Sequence, residues 1–411
     1  MDYTTLPKGY ELPKVFFYQI ICSIIILLGT VLFLINTYKE QRISLAKSFY
    51  VVSAVSILLS LSALLSPYQE IAIWGNTFRY QGLLTYLLMI WASYVIFKVL
   101  NKNLWHLITG AIILSSILQC VAAINQFNNL MKINPELISE GLWINGTFGQ
   151  ANWFAGRILV AIIFAAFYFG LKIEATRNKR ILLKIISAIL IIFFLTILGL
   201  SQSIWGIISA VVAILLIILY EVLPKKIFAK IVYISITAGI TVFILYFKLN
   251  TEYNLRLDIV NSILIILSQP FNLQQFQFIT LGFGFDTLGN VFRDYRLIQG
   301  SLVDRAHNVI FDIIIQNGFI ILIIFLALVY KLLRALHSNT RDRVWDFTFI
   351  AIFAWIFRSI IHENGIVNLM DFLFLFAAGF ALLPKQELHR FNSFNTQKVQ
   401  TFFKSLRNRV S

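Results

Sequence analysis

The sequence predicts an all-α integral membrane protein of about eleven (eleven or twelve) transmembrane helices with one large extracytoplasmic loop. Apolar composition, recurrent apolar runs and the placement of charge predict it. Hydrophobic residues make up 59% of the 411-residue chain and charged residues 13%, against about 45–50% and about 25% in soluble domains. The mean hydropathy is +0.80. Charge-poor runs of about 18 residues or more recur along the chain, each long enough at about 1.5 Å per residue to cross a core of about 30 Å. The basic residues also fall in alternate loops. The loops at 39–47, 98–103, 172–184, 225–230 and 331–343, with the tail 385–411, carry about two thirds of the 34 Lys and Arg residues, which is the positive-inside pattern.

The spans are expected at 15–36, 48–66, 83–100, 104–124, 152–171, 181–200, 203–222, 228–249, 308–330, 344–363 and 365–384. Residues 1–384 then form a polytopic membrane domain, with the loop 250–306 outside the cytoplasm, and 385–411 a basic amphipathic tail inside. No small-residue cleavage site follows the first span, which is too long for a signal h-region and reads as a retained anchor. The net charge of +15 invites a nucleic-acid partner, but its loop-by-loop distribution points to the bilayer instead. Cys22 and Cys120 both fall inside spans, which argues against a disulfide. The histidines and cysteines show no metal-ligand spacing, so no metal or cofactor is expected.

In chain order, the first outer loop, Ser66 to Gly82, carries Trp74, Phe78 and Tyr80, aromatics suited to a membrane interface, with Arg79 among them. The second ends Asn145-Gly-Thr-Phe-Gly-Gln-Ala-Asn152-Trp-Phe-Ala-Gly156-Arg157. Its glycines and asparagines ahead of a helix fit an anion site of backbone amides, and equally a plain turn with an N-cap. Arg157 lies one turn inside the span and costs several kcal/mol unless it faces a polar cavity or a partner. A hairpin at Gly199–Gly206 puts Ser201, Gln202 and Ser203 at the outer face, to bridge helices or meet a ligand.

The 250–306 loop is the one long segment with room for folded polar structure. It and its exit carry Arg256, Asp258, Asp286, Arg293, Asp294, Arg296, Asp304, Arg305 and His307, and the last two residues of Asp304-Arg-Ala-His307-Asn308 meet the start of an apolar span. His307 is therefore expected at the water–bilayer boundary. Gln316-Asn317-Gly318 interrupts the span that follows, as suits a helix lining a cavity. Arg358 and His362, spaced i and i+4, share a face of the tenth span. Val399, Phe402, Phe403 and Leu406 form the apolar face of the tail, which suits the inner leaflet.

The segment Gly146–Gly156, the Leu200-Ser-Gln-Ser-Ile-Trp-Gly206 hairpin, the Arg256 segment, the Leu281-Gly-Phe-Gly-Phe285 turn and Asp304–Asn308 come in an order that resembles the O-antigen ligase family of bacterial membrane glycosyltransferases. The resemblance covers roughly residues 60–385. It implies a GT-C-type helical fold in the cytoplasmic membrane and transfer of a glycan from a polyprenyl-diphosphate carrier to an acceptor hydroxyl on the outer face, without metal or nucleotide. The acceptor is a glycolipid, a glycan or a protein. By position, the family's essential histidine falls on His307 and one of its two diphosphate-binding arginines on Arg256. The second arginine's position, in a Ser-Arg-Gly turn, is held here by Gln202.

The chemistry of these residues fits that implication. Fixed arginines can hold a leaving diphosphate bidentately, and a histidine suits the removal of a hydroxyl proton near neutral pH. Direct attack by one acceptor inverts the anomeric centre; a retaining scheme would need a carboxylate, for which Asp304 is the candidate. Because no acidic residue is expected in the outer halves of the neighbouring spans, Arg157 is expected to supply the missing second charge. Gln202 is then a neutral donor beside it, and Arg358 the fallback. Arg79, Asp304, Asn308 and Asn152 stand as supporting residues. A polymerase of the same superfamily, a transporter of the same lipid-linked glycan and a non-catalytic envelope assembly protein are the alternatives.

Overall fold

The computed structural model describes residues 12–40, 47–76, 80–100, 102–133, 144, 151–169, 177–224, 227–232, 254–295, 308–335, 342–361 and 366–382. Among these the secondary structure is helical throughout. In chain order the helices are α1 (Leu12–Glu40), α2 (Lys47–Leu64), α3 (Gln69–Trp74), α4 (Leu83–Val99), α5 (Lys102–Ile133), α6 (Ala151–Phe169), α7 (Arg177–Leu200), α8 (Ile204–Val222), α9 (Asn254–Leu267), α10 (Leu273–Leu281), α11 (Leu288–Asp294), α12 (Val309–Ala335), α13 (Arg343–Ile361) and α14 (Ile366–Ala381). Among the described residues, six helical stretches are long and apolar enough to cross a membrane: Leu12–Leu32, Asn103–Asn129, Ala151–Phe169, Ile181–Leu200, Ile204–Val222 and Val309–Ala335. The chain is thus a multi-pass helical membrane protein. Of the span expected at 228–249 only residues 228–232 are described, and the rest of it and the tail 385–411 lie outside the described residues.

Helix α6 is the axis of the main bundle. Ala151 to Ala165 and Phe167 are buried apart from Arg157 and Ala166, with α5, α7, α8, α13 and α14 packed around them. A helix apolar on every face belongs in a core, whereas α1, only 11% buried, is left for lipid. Small residues let the axes approach: a Cβ on Gly206 would lie 2.5 Å from the Ala155 Cβ, so α8 and α6 touch there with no room for a side chain. Polar side chains also cross between helices, Trp105 donating to Thr348 (2.8 Å) and Tyr220 to Asp346 (2.9 Å). A second group forms where α4 packs against α1, α2 and α14, with Gln19 donating to Thr85 at 2.8 Å.

The expected break in the ninth span is present, and it organises the large loop. Gly318 has φ 74° and ψ 176°, a region open almost only to glycine. The break removes the usual helical donors from the carbonyls of Ile315 and Gln316. Phe283 N–H and Gly284 N–H donate to them instead, at 2.7 and 2.9 Å. The Leu281–Phe285 turn is therefore stitched by its backbone into the gap of α12. The described part of the loop has an apolar core of its own, in which Ile263, Ile266, Phe278, Phe283, Leu288, Val291 and Phe292 close over Ile315 of α12.

The first loop completes this platform. Asp286, buried with φ 59°, accepts from the Asn76 and Gln81 amides at 2.9 and 3.4 Å. Its own N–H donates to Gln316 Oε1 at 3.2 Å. Tyr86 stacks on Phe285 with ring centroids 4.1 Å apart, and the Ser66 hydroxyl donates to the Phe283 carbonyl.

Candidate functional site

Two segments far apart in sequence meet at the end of the bundle where α6 begins. The α7–α8 hairpin is as tight as expected, with only Ser201, Gln202 and Ser203 between the helices. Ser203 caps α8, its hydroxyl accepting from Gly206 N–H at 3.2 Å, and the same hydroxyl donates to Asn152 Oδ1 on α6 at 2.6 Å. Arg358, on α13 and 1% exposed, donates to the Asn152 carbonyl. Asn152, Ser203 and Arg358 thus form one polar corner, which fixes the first turn of α6. Gln202 stands exposed at the hairpin tip with φ 54°.

One turn further into α6, Arg157 forms an ion pair with Asp371 of α14, and its other terminal nitrogen donates to Ser115 of α5. Both charged side chains are 12% exposed. This overturns the expectation that no acidic residue lies in the outer halves of the neighbouring spans. Asp371 is that residue, six positions into α14, and it neutralises the charge that Arg157 was expected to offer to a ligand. The signal was present in the sequence as a lone carboxylate within an apolar run, which in a membrane implies a partner.

The other predicted residues divide as follows. Asn308 caps α12, its Oδ1 accepting from Ile310 and Phe311 N–H at 2.8 and 3.2 Å, so the residue that follows His307 in the sequence starts the helix as expected. Arg256 lies in the first turn of α9; its side chain, and all of His307, Asp304, Arg79 and His362, lie outside the described residues. On the platform, Tyr68 donates to Asp294. Burial and then that carboxylate push the Tyr68 hydroxyl well above its ordinary range, which keeps it a donor. Cys22 and Cys120 are both buried.

The fold and the polar ends of its helices define the class: a multi-pass helical membrane protein with charged and amide side chains gathered where α6, α8, α13 and α14 meet. In comparison with known proteins, no family model, no curated protein and no solved structure matches the chain.

Proposed function

We propose that the chain is a membrane glycosyltransferase of the O-antigen ligase type, with eleven spans in a GT-C-type arrangement and its site on the outer face of the bacterial cytoplasmic membrane. One observation carries the reading: two of the segments that resemble the family, Gly146–Gly156 and Leu200–Gly206, are joined through the Ser203–Asn152 hydrogen bond at 2.6 Å. A shared site requires such a junction. The docking of the Leu281–Phe285 turn into the break of α12, the helix that follows His307 in the sequence, supports it further.

In the proposed reaction the acceptor oxygen bonds to the anomeric carbon as the bond from that carbon to the carrier's diphosphate oxygen breaks. The acceptor proton passes to His307, and the polyprenyl diphosphate leaves with the bonding electron pair, its charge held by Arg256 with Gln202 as a neutral donor. The configuration inverts. Arg157 and Arg358, already engaged within the bundle, act by positioning α6.

The test is transfer from a polyprenyl-diphosphate glycan by the protein in nanodiscs. His307→Ala should lower turnover by about 10²–10⁴-fold, the range of general-base catalysis. Arg256→Lys, which keeps the charge and loses the bidentate fork, should be severely impaired. Undiminished transfer in both variants refutes the assignment. Glycan that crosses the bilayer still attached to its carrier identifies a transporter instead.

A further inference from the structure

We infer that the α9–α10 hairpin lies in the membrane interface, with lipid acyl chains packed against Leu264, Ile265, Phe271, Leu273 and Phe276, and is not a water-exposed part of the loop. The proposal does not depend on the transfer reaction.

Its first support is depth. Helix α2, from Lys47 to Leu64, is about 27 Å long at about 1.5 Å per residue, nearly the thickness of a hydrocarbon core of about 30 Å. Its last turn therefore reaches the interface. The hairpin is tied to that turn: Gln277 Nε2 donates to the Leu65 carbonyl at 2.6 Å. The Ser62 hydroxyl, at the same level, donates to the Gln316 carbonyl at 3.1 Å beside the break that holds the turn after α10.

The second support is the surface itself. From Ile259 to Phe285 the sequence has no Asp, Glu, Lys, Arg or His, although charges stand on both sides of the run. Phe271 is 76% exposed and Leu273 84%, and Leu273 and Phe276, three apart, share a face of α10. Leu61, Leu64 and Leu65, at the end of α2 to which Gln277 ties the hairpin, are exposed as well. The hairpin is nevertheless firmly built. Asn272 caps α10 by accepting from Gln275 N–H at 2.7 Å, and the buried Gln275 side chain donates to the Ile266 carbonyl at 2.8 Å. An exposed patch of large apolar side chains on a well-made helix marks a contact surface. Its depth and its attachment to the exposed apolar end of α2 assign that contact to acyl chains at the headgroup boundary.

The experiment places an environment-sensitive fluorophore at Phe271→Cys, at Leu273→Cys and, for comparison, at Arg293→Cys, an exposed charged position on α11, in the full chain in phosphatidylcholine nanodiscs. The native Cys22 and Cys120 are buried and stay unlabelled. Lipids carrying a nitroxide high on the acyl chain should remove most of the emission at positions 271 and 273 and little at 293; aqueous iodide should give the reverse order. Three results overturn the proposal: iodide quenching at 271 and 273 equal to that at 293, protection from both quenchers, or dimers cross-linked through the Phe271→Cys thiol, which would assign the face to a second copy of the chain.

Discussion

Asp371→Asn isolates the ion pair that fastens α6 to α14. The substitution keeps the shape and a carbonyl acceptor for Arg157 and removes the compensating charge. Breaking a buried pair by removing one partner costs about 3–5 kcal/mol, because the remaining charge stays in a low-dielectric site. With both side chains 12% exposed and the Ser115 hydroxyl still in place, the lower end of that range applies, about 3 kcal/mol, or a roughly hundredfold larger unfolded fraction at about 1.4 kcal/mol per tenfold. The buried Cys22 and Cys120 thiols provide the assay, since a thiol-reactive dye gains signal only as the bundle opens on heating. Asp371→Asn and Arg157→Met should each melt well below the parent. The double variant Arg157→Met/Asp371→Leu, which replaces the pair with apolar volume, should recover most of the loss. If Asp371→Asn melts with the parent, or if the double variant melts no higher than either single one, the pair does not hold the helices together and the reasoning fails.

Gly318→Ala should loosen the platform: the backbone region alone costs about 1–3 kcal/mol, and the new Cβ would lie 2.2 Å from the Thr280 carbonyl oxygen. Limited proteolysis between Ser268 and Leu288 reads it, and an unchanged cleavage rate contradicts it. Ser203→Ala removes both the cap of α8 and the bridge to Asn152, each worth about 1 kcal/mol. It should lower the melting temperature measurably, with partial rescue by Ser203→Thr; an unshifted melt would show the bridge to be dispensable. Gln202→Arg places a guanidinium on the exposed hairpin tip at little conformational cost, and one added charge-assisted hydrogen bond, about 1.5–3 kcal/mol, should tighten donor binding by about tenfold or more. Unchanged donor affinity means that the hairpin does not face the diphosphate.

The helices were legible because long apolar runs have few other outcomes in a membrane protein, and the break in α12 because Gln316-Asn317-Gly318 is polar and flexible inside such a run. What the break does was not legible. Its hydrogen-bond partners, Phe283 and Gly284, lie in the Leu281–Phe285 turn, which the sequence singled out without showing where it docks. The central place of α6 was hidden for a related reason: Ala151–Phe169 is no more apolar than its neighbours, and only the packing of five other helices around it separates core from lipid-facing surface. The lone carboxylate Asp371 signalled that it has a partner, but which residue that is was not legible, because the pair joins residues 214 apart. A charged residue also lowers the apparent quality of a span, as in α13, where Arg343, Asp346 and Arg358 dilute the hydropathy of a helix that is largely buried.

Where the positive charge goes constrains the proposed chemistry more than how much there is. At the end of the bundle where α6 begins, Arg157 is matched by Asp371, and Arg358 is buried against the Asn152 carbonyl. A guanidinium held by fixed partners gives up those contacts when it turns to a ligand, so neither is a freely available cation. Both instead act on the same object, the first two turns of α6, which carry Asn152 and follow the Gly146–Gly149 segment directly. Under the proposed function the charge of the diphosphate is met by Arg256, while the other two arginines set the placement of α6. Substituting Arg157 or Arg358 would then disturb donor binding through the placement of α6, in proportion to the loss of stability, while Arg256 substitutions would separate the two, leaving the melt intact and the transfer impaired. That contrast, measured on the same preparations, distinguishes a charge that touches substrate from charges that hold the wall behind it.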